Sequence, residues 1–285
     1  MAPPKRVDDI FIDSFGVTIH YHRWSPKATP RAVIRLAHGL GEHALRYEGL
    51  VATLVSEGFE VWADEHRGHG ATGLEQWEGN LTKLGKLGPG GMPATVAAIR
   101  AFTGIIRQEH PGIPLFFLGH SWGSIIGQII LNQGGASDYE GVILTGTAYR
   151  MPGFMYSGDL NSKHKHLGGI GAEWLSRDVA VHEAWRDDPL TFVADTLKLL
   201  GVVDAARLIG TPKQLDQDIP ILIMIGSDDT LGGEKSVTKL ANSYLAKGSS
   251  DVEVVVYEGA RHEIFNETNK DEVMNDLVGW LAGRL

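Results

Sequence analysis

The sequence predicts an α/β fold, built as a mostly parallel central sheet with helices on both faces and an inserted helical lid. Three observations predict it. Short apolar runs that read as buried strands recur at residues 32–37, 59–63, 115–118, 141–144, 221–225 and 252–257. Segments of helical periodicity separate them, at 45–55, 94–109, 125–130, 234–247 and 270–285. Regular alternation of this kind implies parallel strands, because parallel neighbours need a helical crossover. Finally, the alternation stops between 151 and 218, a stretch rich in Gly, Trp, Phe and Met with no good strand pattern. It is too long for a plain connection. The expected organisation is therefore a core segment 1–148, a lid 149–218 and a second core segment 219–285.

The first element is read as a hairpin. Residues 9–14 and 17–24 alternate around Phe15-Gly16. The helix at 94–109 is amphipathic and closed by Pro111-Gly112. "DEHRGHGATG" reads as a glycine-rich polar loop, and Gly85–Gly91, "GKLGPGG", as a short flexible one. At 285 residues the chain suits one large domain carrying an insertion. It has no cysteine, so neither a disulfide framework nor a thiolate nucleophile is available. The net charge of −9 and the lack of a basic cluster argue against a nucleic-acid partner. "MAPPKRVDDIFIDS" has no apolar core after its basic residues, and no run of about 18 uncharged apolar residues occurs. The expectation is a cytoplasmic protein without a signal peptide or transmembrane segment.

The strand at 115–118 runs into "GHSWG", and Ile125, Ile126, Ile129 and Ile130 then repeat at helical spacing. A serine between two glycines in a strand–turn–helix context matches the G-x-S-x-G elbow, which lifts Ser121 above the sheet. A serine hydroxyl is a poor nucleophile unless a histidine takes its proton and a carboxylate orients that histidine. On sheets that use such an elbow, acid and histidine follow the serine in that order. Of twelve histidines only His262 lies beyond Lys213, and it directly follows the last strand. The acid should follow the strand at 221–225, where "IGSDDT" offers Asp228 and Asp229. "LTGTAY", after the preceding strand, offers none. Two backbone N–H groups are also needed for the oxyanion. Trp122 supplies one, and Leu40 in "HGLGEH" the other.

"LAHGLGEHALRY", "ADEHRGHGATG", "GHSWGS", "GSDDT" and "GARHEIFNE" together resemble the monoacylglycerol lipase and lysophospholipase branch of the α/β-hydrolase superfamily, a group also described as serine aminopeptidase-like. The resemblance spans about residues 8–285. It implies the α/β-hydrolase fold and a serine hydrolase without a cofactor. Small or medium-chain acyl esters, such as monoacylglycerols or lysophospholipids, are the implied substrates. The family's acid lies three residues past the glycine ending its strand, which selects Asp229. The same carry-over supports Ser121, His262, and the N–H groups of Leu40 and Trp122. Trp122 departs from the methionine more usual there, and its larger side chain is expected to narrow the pocket.

Apolar lid residues should wall an acyl site, with Phe154, Met155 and Trp174 as candidates. Aminopeptidase or amidase action would use the same triad plus a lid acid for the substrate amine, from Asp159, Glu173, Asp187 or Asp188. A hydrolase-fold receptor with slow or no turnover is the non-enzymatic alternative. No metal is expected, since His66 and His69, or His164 and His166, lack partners at ligand spacing.

Overall fold

The computed structural model describes residues 4–285. Residues 1–3, which belong to the stretch read for a leader and to the first core segment, lie outside the described residues. The strands are β1 (Arg6–Ile12), β2 (Thr18–Trp24), β3 (Val33–Ala37), β4 (Glu60–Asp64), β5 (Leu115–His120), β6 (Gly141–Thr145), β7 (Ile221–Gly226) and β8 (Val252–Tyr257). The helices are α1 (Glu48–Ser56), α2 (Gly70–Gln76), α3 (Gly91–Glu109), α4 (Trp122–Leu131), α5 (Val179–Asp187), α6 (Thr196–Arg207), α7 (Glu234–Leu245) and α8 (Lys270–Ala282).

The strands form one sheet in the order β1-β2-β4-β3-β5-β6-β7-β8. β2 pairs antiparallel with both β1 and β4, and every later pairing is parallel. Every residue of β3 to β7 is buried, as expected of strands covered on both faces. Side chains alternate across the sheet. Phe117 therefore joins a core with α3, α4 and α7 through Ile99, Ile126 and Leu240. Phe116 and Leu118 join a second core with α1 and α8 through Leu50 and Leu277.

Two expectations are corrected. The "DEHRGHGATG" segment is not all loop, since α2 begins at its Gly70. Its glycines hid the helix, because glycine is a poor helix former. The segment 85–91 is not loose either. Arg67 is fully buried and donates to the carbonyls of Leu87 at 2.9 Å and Pro89 at 2.6 Å, while Gln76 Nε2 donates to Leu87 at 3.0 Å.

No strand forms between β6 and β7. The chain there makes two 3-10 turns, Leu160–Lys163 and Lys165–Leu167, then α5 and α6, the latter broken at Gly201 by a φ of 73°. This insertion is fastened to loops at the carboxyl ends of the strands. The Phe192 N–H donates to the Gly41 carbonyl at 3.0 Å, and Tyr156 to Leu231 at 2.7 Å. His43 Nε2 meets Asp188 at 2.7 Å. No helix among the described residues is long and apolar enough to cross a membrane.

The β5–α4 junction is tightly packed. A Cβ on Gly123 would lie 2.2 Å from the Ala37 carbonyl oxygen, and one on Gly119 2.7 Å from the Gly123 carbonyl oxygen. Gly104 in α3 faces open space instead. Gly123→Ala should thus destabilise by about 1–3 kcal/mol, whereas Gly104→Ala should stabilise by roughly 0.5–1 kcal/mol. Urea unfolding of both variants checks the contrast.

Candidate active site

Ser121 occupies the turn between β5 and α4 with φ 52° and ψ −119°. A positive φ at a residue with a side chain is strained. Three hydrogen bonds hold it. The Ser121 N–H donates to the Thr145 carbonyl at 2.9 Å, and its own carbonyl accepts from the Ile125 N–H at 3.0 Å and from Ser124 Oγ at 2.6 Å. The turn points the Ser121 side chain toward the loop after β3, and a Cβ on Gly39 would lie 3.1 Å from the Ser121 Cβ.

His262, after β8, is 1% exposed. Its Nδ1 lies 3.0 Å from both carboxylate oxygens of Asp229, after β7. Asp229 also accepts from the Leu231 N–H at 2.8 Å. Asp228 turns outward to Lys163 instead. Of the two acids open on spacing alone, only Asp229 meets the histidine. Burial pulls the His262 imidazole down, but the charge and hydrogen bond of Asp229, with the charges of Glu263 and Glu42, together outweigh it, so the pKa lies above the ordinary 6.5. Burial raises the Asp229 carboxyl, and His262 with the Leu231 N–H more than reverses this, leaving it below 3.8. His262 Nε2 is buried and has no partner among the described residues, so its hydrogen bond to Ser121 is not closed.

Two neighbours fix the imidazole plane. The Trp174 and His120 rings each lie 4.8 Å from it. Burial and the nearby His262 push His120 down to about 3, so it stays neutral and holds Thr145 Oγ1 at 3.1 Å. Sequence reasoning placed Trp174 in the pocket wall and missed His120, although it adjoins Ser121.

The backbone N–H groups of Leu40 and Trp122 have no acceptor among the described residues. The neighbouring Gly39 N–H is taken by Glu42 Oε1 at 2.6 Å. The Trp122 indole is 4% exposed and packed in the core between His66, at 5.7 Å, and His69, at 5.3 Å. These histidines are occupied structurally, His66 with Asp64 at 2.8 Å and His69 with the Arg67 carbonyl at 2.9 Å. Of the other pocket candidates, Met155 packs against the core, while Phe154 is partly exposed and set edge-on to Tyr149 at 5.4 Å.

A strained serine, a buried histidine–carboxylate pair and two free amides form a constellation suited to acyl transfer. The family model described as serine aminopeptidase, S33, matches residues 28–269. The chain belongs to this family. It is 31% identical over 305 residues to the monoacylglycerol lipase of Mycolicibacterium smegmatis, each covered over 100% of its length. It is 27% identical to the human monoglyceride lipase, covering 96% of this chain and 89% of that one. A solved structure of a soluble variant of the Saccharomyces cerevisiae monoglyceride lipase, bound to a substrate analogue, shares the fold at a TM-score of 0.78 and 23% identity, over 100% of this chain and 96% of that one. This member of the serine aminopeptidase family is therefore an α/β-hydrolase of the monoacylglycerol lipase-like branch, and a carboxylic-ester hydrolase.

A general base works only when neutral, so a raised His262 pKa puts the acid limb of kcat/KM above pH 6.5. Asp229→Asn removes the strongest upward influences and leaves burial opposed only by the charges of Glu263 and Glu42. The limb should then move to lower pH, while kcat falls about 10⁴-fold at the plateau. A pH–rate profile of both proteins checks the two effects together.

Proposed function

We propose that the protein hydrolyses small or medium-chain acyl esters, of the monoacylglycerol or lysophospholipid type, through an acyl-enzyme on Ser121. The observation that carries this reading is the His262–Asp229 pair, with Nδ1 at 3.0 Å from both carboxylate oxygens, at the sheet edge where strained Ser121 sits. Ser121 Oγ attacks the ester carbonyl while His262 Nε2 takes its proton. Asp229 stabilises the imidazolium, and the Leu40 and Trp122 N–H groups receive the oxyanion. His262 returns the proton to the leaving alcohol. It then activates the water that releases the acid.

In this reading residues 149–218 form the lid over the core segments 1–148 and 219–285, and Phe154, Met155 and Trp174 line the acyl path. The names of the relatives support an ester of glycerol as substrate. The lid acids support an ester over an amine-bearing peptide, because each already has a partner. Asp159 holds Lys165 at 2.7 Å, Glu173 holds Asn161 at 2.6 Å, Asp187 holds Arg186 at 2.7 Å and Asp188 holds His43 at 2.7 Å.

Hydrolysis of p-nitrophenyl esters from acetate to laurate, of 1-monoacylglycerols and of an amino-acid p-nitroanilide tests the reading. Turnover of the esters with a chain-length optimum is expected, with at least a ~10³-fold loss of kcat in Ser121→Ala. Turnover of the anilide alone, or a loss under tenfold in the folded variant, would overturn it.

A further inference from the structure

Beneath the candidate site lies a buried ion network that the mechanism does not use. Arg46, in the 3-10 turn Ala44–Tyr47, lies one helical turn beyond Glu42. Its guanidinium donates to Glu42 Oε2 at 2.9 Å and, as a fork, to both oxygens of Glu263 at 2.6 and 2.9 Å. The carboxylates accept further hydrogen bonds. Glu42 Oε1 accepts the Gly39 N–H at 2.6 Å and the Tyr47 hydroxyl at 2.7 Å, and Glu263 Oε2 accepts Asn266 Nδ2 at 2.9 Å. The side chains of Arg46, Glu42 and Glu263 are 10%, 7% and 6% exposed.

Burying three charges is a poor way to gain stability, since an apolar trio often serves as well or better. What the network does gain is position. One end grips the backbone of the oxyanion loop at Gly39, next to the free N–H of Leu40. The other end is the residue that follows His262. Gly39 and Glu263 are far apart in sequence and lie on loops after different strands, and a bidentate arginine is a stiff spacer between carboxylates.

We propose that Glu42, Arg46 and Glu263 are positioning residues that hold the oxyanion loop at a fixed spacing from His262, so that acyl transfer depends on a bridge that touches no substrate. The inference rests on the serine–histidine reading above. The charged and titratable groups facing His262 are Asp229 after β7, His120 at the end of β5, Glu42 after β3, and Glu263 beside it, with Arg46 neutralising the last two. Trp174 of the insertion covers it without charge. Glu42 and Glu263 both favour the imidazolium.

The test is a double-mutant cycle with Glu42→Gln and Glu263→Gln, isosteric changes that keep a hydrogen-bonding group, alongside Ser121→Ala and Arg46→Lys. Each glutamine variant should lose roughly 10- to 100-fold in kcat on a p-nitrophenyl ester, with KM changed little, as misplacement of a reacting group does. The double variant should lose no more than the worse single, since both cut one bridge. Glu263→Gln should also move the acid limb to lower pH. Arg46→Lys keeps the charge but loses the fork, so it should lower kcat while leaving the limb in place. A purely structural network would lower the unfolding temperature and leave kcat and the limb untouched in folded protein. That result, or losses that multiply in the double variant, would overturn the inference. An active Ser121→Ala protein would instead overturn the reading of the site itself.

Discussion

Ser121 holds a backbone conformation that costs about 1–3 kcal/mol, and the centre of the sheet keeps it there. β5 is paired on both sides, by β3 and β6, so its end cannot relax. α4 starts immediately afterwards and presses so closely on β3 that position 123 has no room for a side chain beside the Ala37 carbonyl. The elbow is therefore a consequence of packing a helix directly against the strand that precedes it. Everything else in the proposed site is arranged around the one hydroxyl that this turn raises.

Burial is the second constraint, and it acts against the chemistry. His262 and His120 are both sealed from water, and burial alone would leave each neutral and weakly basic. His120 shows that outcome, at about 3. His262 escapes it because Asp229 lies against its Nδ1 and two further carboxylates lie behind it. Two histidines with ring centres 4.8 Å apart thus have opposite basicities, set chiefly by the carboxylate that lies against one of them. The same burial makes the Glu42–Arg46–Glu263 network costly unless every oxygen is satisfied, and each of them is.

The core strands were legible because buried parallel strands are continuous apolar runs, and "LFFL" or "ILIMI" admits few other readings. Ser121 and His262 were legible from type and order along the chain. Asp228 and Asp229 were not separable by spacing, because a one-residue step in a turn reverses the direction of a side chain, and family resemblance was needed to choose. The burial of Trp122 was illegible for a similar reason, since its surroundings come from His66 and His69, on a loop more than fifty residues earlier. The positioning network left a faint trace, in Glu42 and Arg46 at a four-residue spacing. Glu263, its third member, is hidden because such a pairing is specified by tertiary contact alone. α2 was obscured by its own glycines.

The central claim is that Ser121 alone carries the acyl group. Its most direct test is to treat the protein with a fluorophosphonate ester and to locate the adduct by intact mass and peptide mapping. One adduct per chain on Ser121 is expected, formed at a rate that follows the His262 titration and is lost in His262→Ala. An adduct on another residue, or none in folded and ester-hydrolysing protein, would contradict it.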